Sequence, residues 1–97
     1  MSVVVFVNLP TKAGQADKLV SLLDELVPGT RAYEGCQEIY LYKNQDDPDN
    51  VVMLERWDSR QHYEKYLAWR TETGALDEIG QLLAGDLTIR FLDRVGS

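Results

Sequence analysis

The chain begins its apolar patterning with Val3-Val4-Val5-Phe6-Val7, a β-branched and aromatic run too short for a buried helix. It predicts a first strand reaching about Leu9, after which Pro10 and Gly14 punctuate the chain. From Gln15 the period changes. Ala16, Leu19, Val20, Leu23, Leu26 and Val27 recur at helical spacing, and Asp17, Lys18, Asp24 and Glu25 take the opposite face. Pro28-Gly29 is expected to break or kink this helix, with one further turn through Arg31 and Ala32 before Gly35 closes the segment.

Cys36 to Lys43 reads as a second strand with Ile39 and Leu41 on one face. Turn formers fill Asn44 to Asn50, and Val51 to Trp57 reads as a third strand, making an antiparallel hairpin with a longer loop. Asp58-Ser59 offers N-cap chemistry for a second helix carrying His62, Tyr63, Tyr66, Leu67 and Trp69. That helix is expected to pause near Gly74, resume through Leu76, Ile79, Leu82 and Leu83, and stop at Ala84-Gly85-Asp86. Leu87 to Leu92 alternates as a fourth strand.

The order β-α-β-β-α-β with right-handed crossovers gives an α+β, ferredoxin-like sandwich. One four-stranded antiparallel sheet carries its helices on one face. Both faces of the strands are nevertheless apolar. Val3, Val5 and Val7 lie on one side of the first strand with Val4 and Phe6 on the other, and Leu87, Ile89 and Phe91 oppose Leu92 on the fourth. A bare apolar sheet face is not normally left in water, so a two-fold homodimer through the open sheet face is expected.

Composition narrows the function classes. The 97 residues fit one domain, expected to span 1–97, and 44% are apolar with 27% charged. Ten Lys+Arg against sixteen Asp+Glu give a formal net charge of -6, which disfavours nucleic acid and anionic membrane surfaces as partners. The longest apolar run, Val3 to Val7, is far short of the ~20 residues that span a bilayer, and no signal-peptide pattern surrounds it. The single cysteine, Cys36, cannot form an internal disulfide, and the expected location is the reducing cytoplasm.

No metal spacing, phosphate-cradling glycine loop, Rossmann fingerprint or nucleophile elbow occurs in the sequence. Asp46, Asp47 and Asp49 read as a solvated turn, lacking the length, central glycine and closing glutamate of an EF-hand. Cys36 reads as a small hydrophobe, and Arg56 and Glu55 face opposite sides of the third strand. The aromatics are unevenly placed: Trp57, Tyr63, Tyr66 and Trp69 crowd together, accompanied by His62. They can pack the helix on the sheet, or line a pocket for a flat aromatic ligand with their polar tips orienting it. Asn8, a strand-poor residue on the face of Val4 and Phe6, can bond a ligand oxygen or cap the loop into Pro10.

Several stretches resemble the antibiotic biosynthesis monooxygenase (ABM) domain family. They are Val27-Pro28-Gly29-Thr30-Arg31-Ala32, Glu34-Gly35-Cys36, Glu55-Arg56-Trp57-Asp58-Ser59, Tyr63-Glu64 and Leu82-Leu83-Ala84-Gly85. The resemblance runs from about Val3 to Leu92 and implies a dimeric α+β barrel of ferredoxin-like subunits. It also implies a cofactor-independent monooxygenase in which a deprotonated quinol- or anthrone-like aromatic itself reduces O2. On that reading no metal, flavin or nicotinamide takes part, and the partner is a small aromatic molecule. Asn8, Trp57 and Tyr66 are the expected catalytic residues, with Phe6, His62, Tyr63 and Trp69 binding substrate. The chain departs from the family where many members carry a Ser-Pro-His-Phe-like stretch, since Trp69-Arg70-Thr71-Glu72 stands there. With Leu76 near the position of the heme-ligating histidine, heme degradation is disfavoured. The alternative is a non-catalytic dimeric barrel module that binds a small hydrophobic or aromatic ligand.

Overall fold

A computed structural model describes residues 2–96 and realises the expected α+β, ferredoxin-like order. The elements are β1 (Val3–Pro10), α1 (Ala16–Ala32), β2 (Cys36–Lys43), β3 (Asn50–Trp57), α2 (Arg60–Glu72), α3 (Ala75–Gly80) and β4 (Thr88–Leu92). The strands form one antiparallel sheet in the order β2-β3-β1-β4. Alternate residues of β1 (Val3, Val5, Val7 and Leu9) are buried, and so are Val51, Glu55 and Trp57 on β3. These positions face the helices, as period-two alternation requires. No helix among the described residues is long and apolar enough to cross a membrane.

Local chemistry sets the connections. Ser59 caps α2 by accepting from the His62 backbone N–H at 3.2 Å. Asp49 ties the hairpin turn to the β1–α1 loop, its carbonyl accepting from Thr11 N and its carboxylate from Gly14 N. Asn44 and Asp47 accept from backbone N–H groups two residues on, so the acidic turn closes on itself as Asx turns. Among the described residues no group of three or more His, Cys, Asp or Glu is placed to hold a metal.

Of the break or kink expected at Pro28, no break occurs: α1 runs on through the expected last turn to Ala32. Proline costs a helix one backbone bond and crowds the preceding turn, but Pro28 and Asp24 both lie on the exposed face, where water serves the freed carbonyl. The last helix ends at Gly80, so Gly85 does not close it. Leu82 to Ala84 are held by β1 and the loop that follows it. Leu82 O accepts from Lys12 N, Ala84 N donates to Pro10 O, and Leu83 bridges Thr11.

Helices cover one face only. On the other, Val4, Phe6, Val52 and Leu54 are half-buried by their sheet neighbours alone, beside the exposed Tyr40, Tyr42 and Leu92. Gly35, in the turn just before β2, has φ +93°, and a Cβ there would stand 2.6 Å from three atoms of the His62 side chain. Gly35→Ala is expected to lower stability by about 1–3 kcal/mol, because it combines a left-handed alanine with a steric clash. The check is a reduced urea midpoint at unchanged slope; an unchanged midpoint would refute it.

Candidate functional site

Inner-face side chains of the sheet and the facing stripes of the three helices do not fill the space between them. A largely apolar cavity of about 280 Å³ remains. Its floor includes Val7, Ile39, Met53, Glu55 and Ile89, and its roof Leu26 and Thr30 of α1 with Tyr63, Tyr66 and Arg70 of α2. The α2 residues follow a 3-4 spacing, which places them on one side of the helix. The volume sits at the small end of ligand pockets, which run from ~300 Å³ upward.

Glu55 is the unusual group on the floor. It is 3% exposed, pairs in register with Val5 and Ile39, and has no cation among its bonded partners within the described residues. Trp57 Nε1 donates to Glu55 Oε1 at 2.9 Å. Burial pushes the carboxyl up to about 7 from an ordinary 4.5, against the opposing pull of the indole hydrogen bond. The acid is thus poised near neutrality. Burial also raises the Tyr63 and Tyr66 phenols, so both remain protonated donors at neutral pH.

A second polar group closes the roof. Tyr66 OH and Thr30 Oγ1 lie 2.7 Å apart, Arg70 Nε donates to Tyr66 OH at 3.0 Å, and Arg70 Nη2 donates to Thr30 Oγ1 at 3.2 Å and Leu26 O at 2.8 Å. The guanidinium stacks over Trp69, 4.5 Å from its ring centroid. These bonds fasten α2 to α1 across the cavity.

The structure brings four of the residues singled out from sequence into one aromatic cluster. Trp57 lies 4.9 Å from Tyr66 and 5.6 Å from Tyr63 between ring centroids, and Trp69 lies 6.1 Å from Tyr66. Tyr33 joins it, stacked on Trp69 at 5.2 Å. Only Tyr63 and Tyr66 reach the cavity wall; Trp57, wholly buried, stands behind them and holds Glu55, and Trp69 lies behind Arg70.

The placement of Asn8 and Phe6 in a sheet–helix pocket is corrected. Alternation sends both to the open face, opposite the inward Val7 and Leu9, and Asn8 Oδ1 accepts from Asn50 Nδ2 at 2.8 Å. His62 is also off the cavity, at the start of α2. Its Nδ1 lies 2.6 Å from Ser59 Oγ and its Nε2 4.0 Å from Glu34. Glu55, Thr30 and Arg70 line the cavity, although the sequence alone assigns none of them to a site. The signal for Glu55 was its two-residue spacing from Trp57, and for Arg70 its spacing of four from Tyr66.

Known proteins carry the same architecture. Residues 2–83 match the antibiotic biosynthesis monooxygenase family. No curated protein is similar enough in sequence to match. The Rv0793 protein of Mycobacterium tuberculosis superposes with TM-score 0.85 at 24% identity, covering 100% of this chain and 98% of that one. A protein described as an antibiotic biosynthesis monooxygenase superposes with TM-score 0.85 at 26% identity, covering 97% of this chain and 99% of that one. A conserved protein of Methanosarcina mazei Go1 does so with TM-score 0.85 at 17% identity, covering 95% and 91%. The first and last of these are likenesses of fold. Since the family match runs from β1 through α3 and takes in most of the cavity wall, the chain belongs to the antibiotic biosynthesis monooxygenase family.

Proposed function

We propose that the cavity binds a small electron-rich aromatic, quinol- or anthrone-like, and that Glu55 takes a proton from it so that the resulting anion reduces O2. The observation that carries this reading is a buried carboxyl, raised to about 7, on the wall of an apolar cavity. A base works best when its pKa lies near the working pH, where it is both available and strong enough to accept the proton. Tyr63, held protonated by burial, is a donor suited to the oxygen that gains charge as the proton leaves, whereas the Tyr66 hydroxyl is engaged with Thr30 and Arg70.

For an anthrone-like substrate the steps balance. The ring CH2 gives one proton to Glu55, and its carbanion forms a C–O bond to O2. The peroxide takes the proton back, and loss of water across the C–H and O–O bonds leaves a carbonyl. Substrate and O2 become the quinone and one water.

We further propose that the open sheet face pairs with a second copy of the chain, because Val4, Phe6 and Leu54 with Tyr40, Tyr42 and Leu92 make a continuous apolar strip. A cytoplasmic setting fits Cys36, whose thiol burial pushes up to about 11, far from a reactive thiolate.

Two outcomes are expected. Oxygen uptake with a panel of quinols and anthrones, corrected for autoxidation, rises with pH through about 7 as Glu55 ionises. Glu55→Gln lowers that uptake roughly 10²-fold or more and flattens its pH profile. Saturable tryptophan quenching by the same compounds without oxygen uptake would replace the oxidase reading with a binding module.

The same residue sets a stability profile. The folded acid holds its proton up to about 7, whereas the unfolded one loses it near 4.5. Its contribution is therefore fully present below about 4.5, declines as pH rises towards 7 and is lost above. Glu55→Gln is expected to gain about 3 kcal/mol over the parent at pH 8 and almost nothing at pH 4, read from urea midpoints. Finally, sedimentation should give twice the chain mass, falling to one chain mass in Phe6→Asp; a monomeric parent would end the dimer proposal.

A further inference from the structure

Arg70 is a buried cation that the chain does not neutralise. It is 8% exposed, and no carboxylate among the described residues lies within 4.0 Å of it. Its three partners, Tyr66 OH, Thr30 Oγ1 and Leu26 O, are all neutral oxygens. They occupy Nε and Nη2; Nη1 has no partner among the described residues and is not fully enclosed, so its N–H groups can be reached. Charges are seldom buried in this state, since desolvation costs far more than neutral acceptors return.

The guanidinium is also accommodated deliberately. Gly29 lies inside α1, where glycine weakens a helix, yet a Cβ there would stand 3.0 Å from Arg70 Nη2. Trp69 supports the guanidinium by stacking and Tyr66 fixes its Nε. The result is a rigid cation on the wall of a largely apolar cavity, with the N–H groups of Nη1 alone unspent. Glu55 does not answer it: that carboxyl sits on the sheet floor, bonded to Trp57.

We propose that Arg70 is the specificity-determining contact of the cavity, and that it takes an anionic oxygen, carboxylate or phenolate, carried by the ligand. The inference rests on the aromatic-ligand reading above and narrows it to aromatic acids and ionisable phenols. The ligand's anion anchors on the helical roof, while the group that yields its proton faces Glu55 on the floor.

The test is calorimetric titration at pH 6, where Glu55 is mostly neutral, with 2-naphthoate and its uncharged isostere 2-naphthamide as probes. The parent protein is expected to bind 2-naphthoate about tenfold or more tightly than 2-naphthamide. Arg70→Gln should erase the preference by weakening naphthoate alone, and Arg70→Lys, which keeps the charge without the guanidinium's bonds to Tyr66 and Thr30, should restore part of it. A third probe, 2-naphthol, bound more tightly above its own ionisation than below, would identify phenolate as the anion, and naphthoate preference alone would identify carboxylate.

Equal binding of the two naphthalene probes by the parent overturns the inference without any variant, so a misfolded Arg70→Gln does not shield it. A preference that survives in folded Arg70→Gln overturns it as well. Binding of neither probe overturns it too, and all three results leave the oxidation reading to the oxygen-uptake measurement.

Discussion

A carboxyl on the inner face of β3 must live without water, and the chemistry of the cavity depends on that. Glu55 lies in register between Val5 and Ile39, beneath helices that exclude solvent. Its neighbour on the same face, Trp57, supplies one hydrogen bond and no charge. One indole donor keeps the group from being orphaned but does not offset the loss of hydration, so the proton is held to about 7. A cation at the same distance would have pulled the acid well below its ordinary value and left it ionised throughout the neutral range.

The roof follows a matching logic with the charge reversed. Because α1 continues through Pro28, Leu26 and Thr30 remain one turn apart on the same side and both present oxygen to Arg70. A helix broken at that proline would have displaced Thr30 and with it the partner of Tyr66 OH. The aromatic cluster of Tyr33, Trp57, Tyr63, Tyr66 and Trp69 then braces the polar atoms from behind. Edge and stacked contacts of this kind fix ring orientation as well as burying area. The cavity is therefore apolar in bulk and polar at a few fixed points, the usual composition of a small-molecule site.

The outer face of the sheet obeys the same alternation. Arg56, one residue after Glu55, emerges on the open side and lies 3.8 Å from Glu38, close enough for an ion pair though too far for a hydrogen bond. Asn8 pairs with Asn50 on that side, beside the apolar strip around Phe6. Site and open face thus share strands without sharing side chains. A change at Phe6 therefore leaves the surroundings of Glu55 in place.

Element order, the four strands, the N-cap at Ser59 and the crowding of aromatics on α2 were legible in the sequence. Each depends on periods of two or about 3.6 residues and on short-range capping. The end of the last helix was less legible, because α3 stops at Gly80, ahead of Leu82 and Ala84, which β1 and the loop after it hold. The site was the least legible part. Periodicity states that Glu55 and Trp57 share a face, but not that this face lies under the helices. The sheet's two faces have similar apolar alternation, so only the three-dimensional path of the crossovers separates inside Glu55 from outside Asn8. Likewise Arg70 reads as an ordinary helix cation until residues 40 and 44 positions away, Thr30 and Leu26, are folded against it. Sequence by itself determined which side chains travel together along each element. Tertiary structure decided which of them lose their water, and it is this loss that turns a carboxyl and a guanidinium into a site.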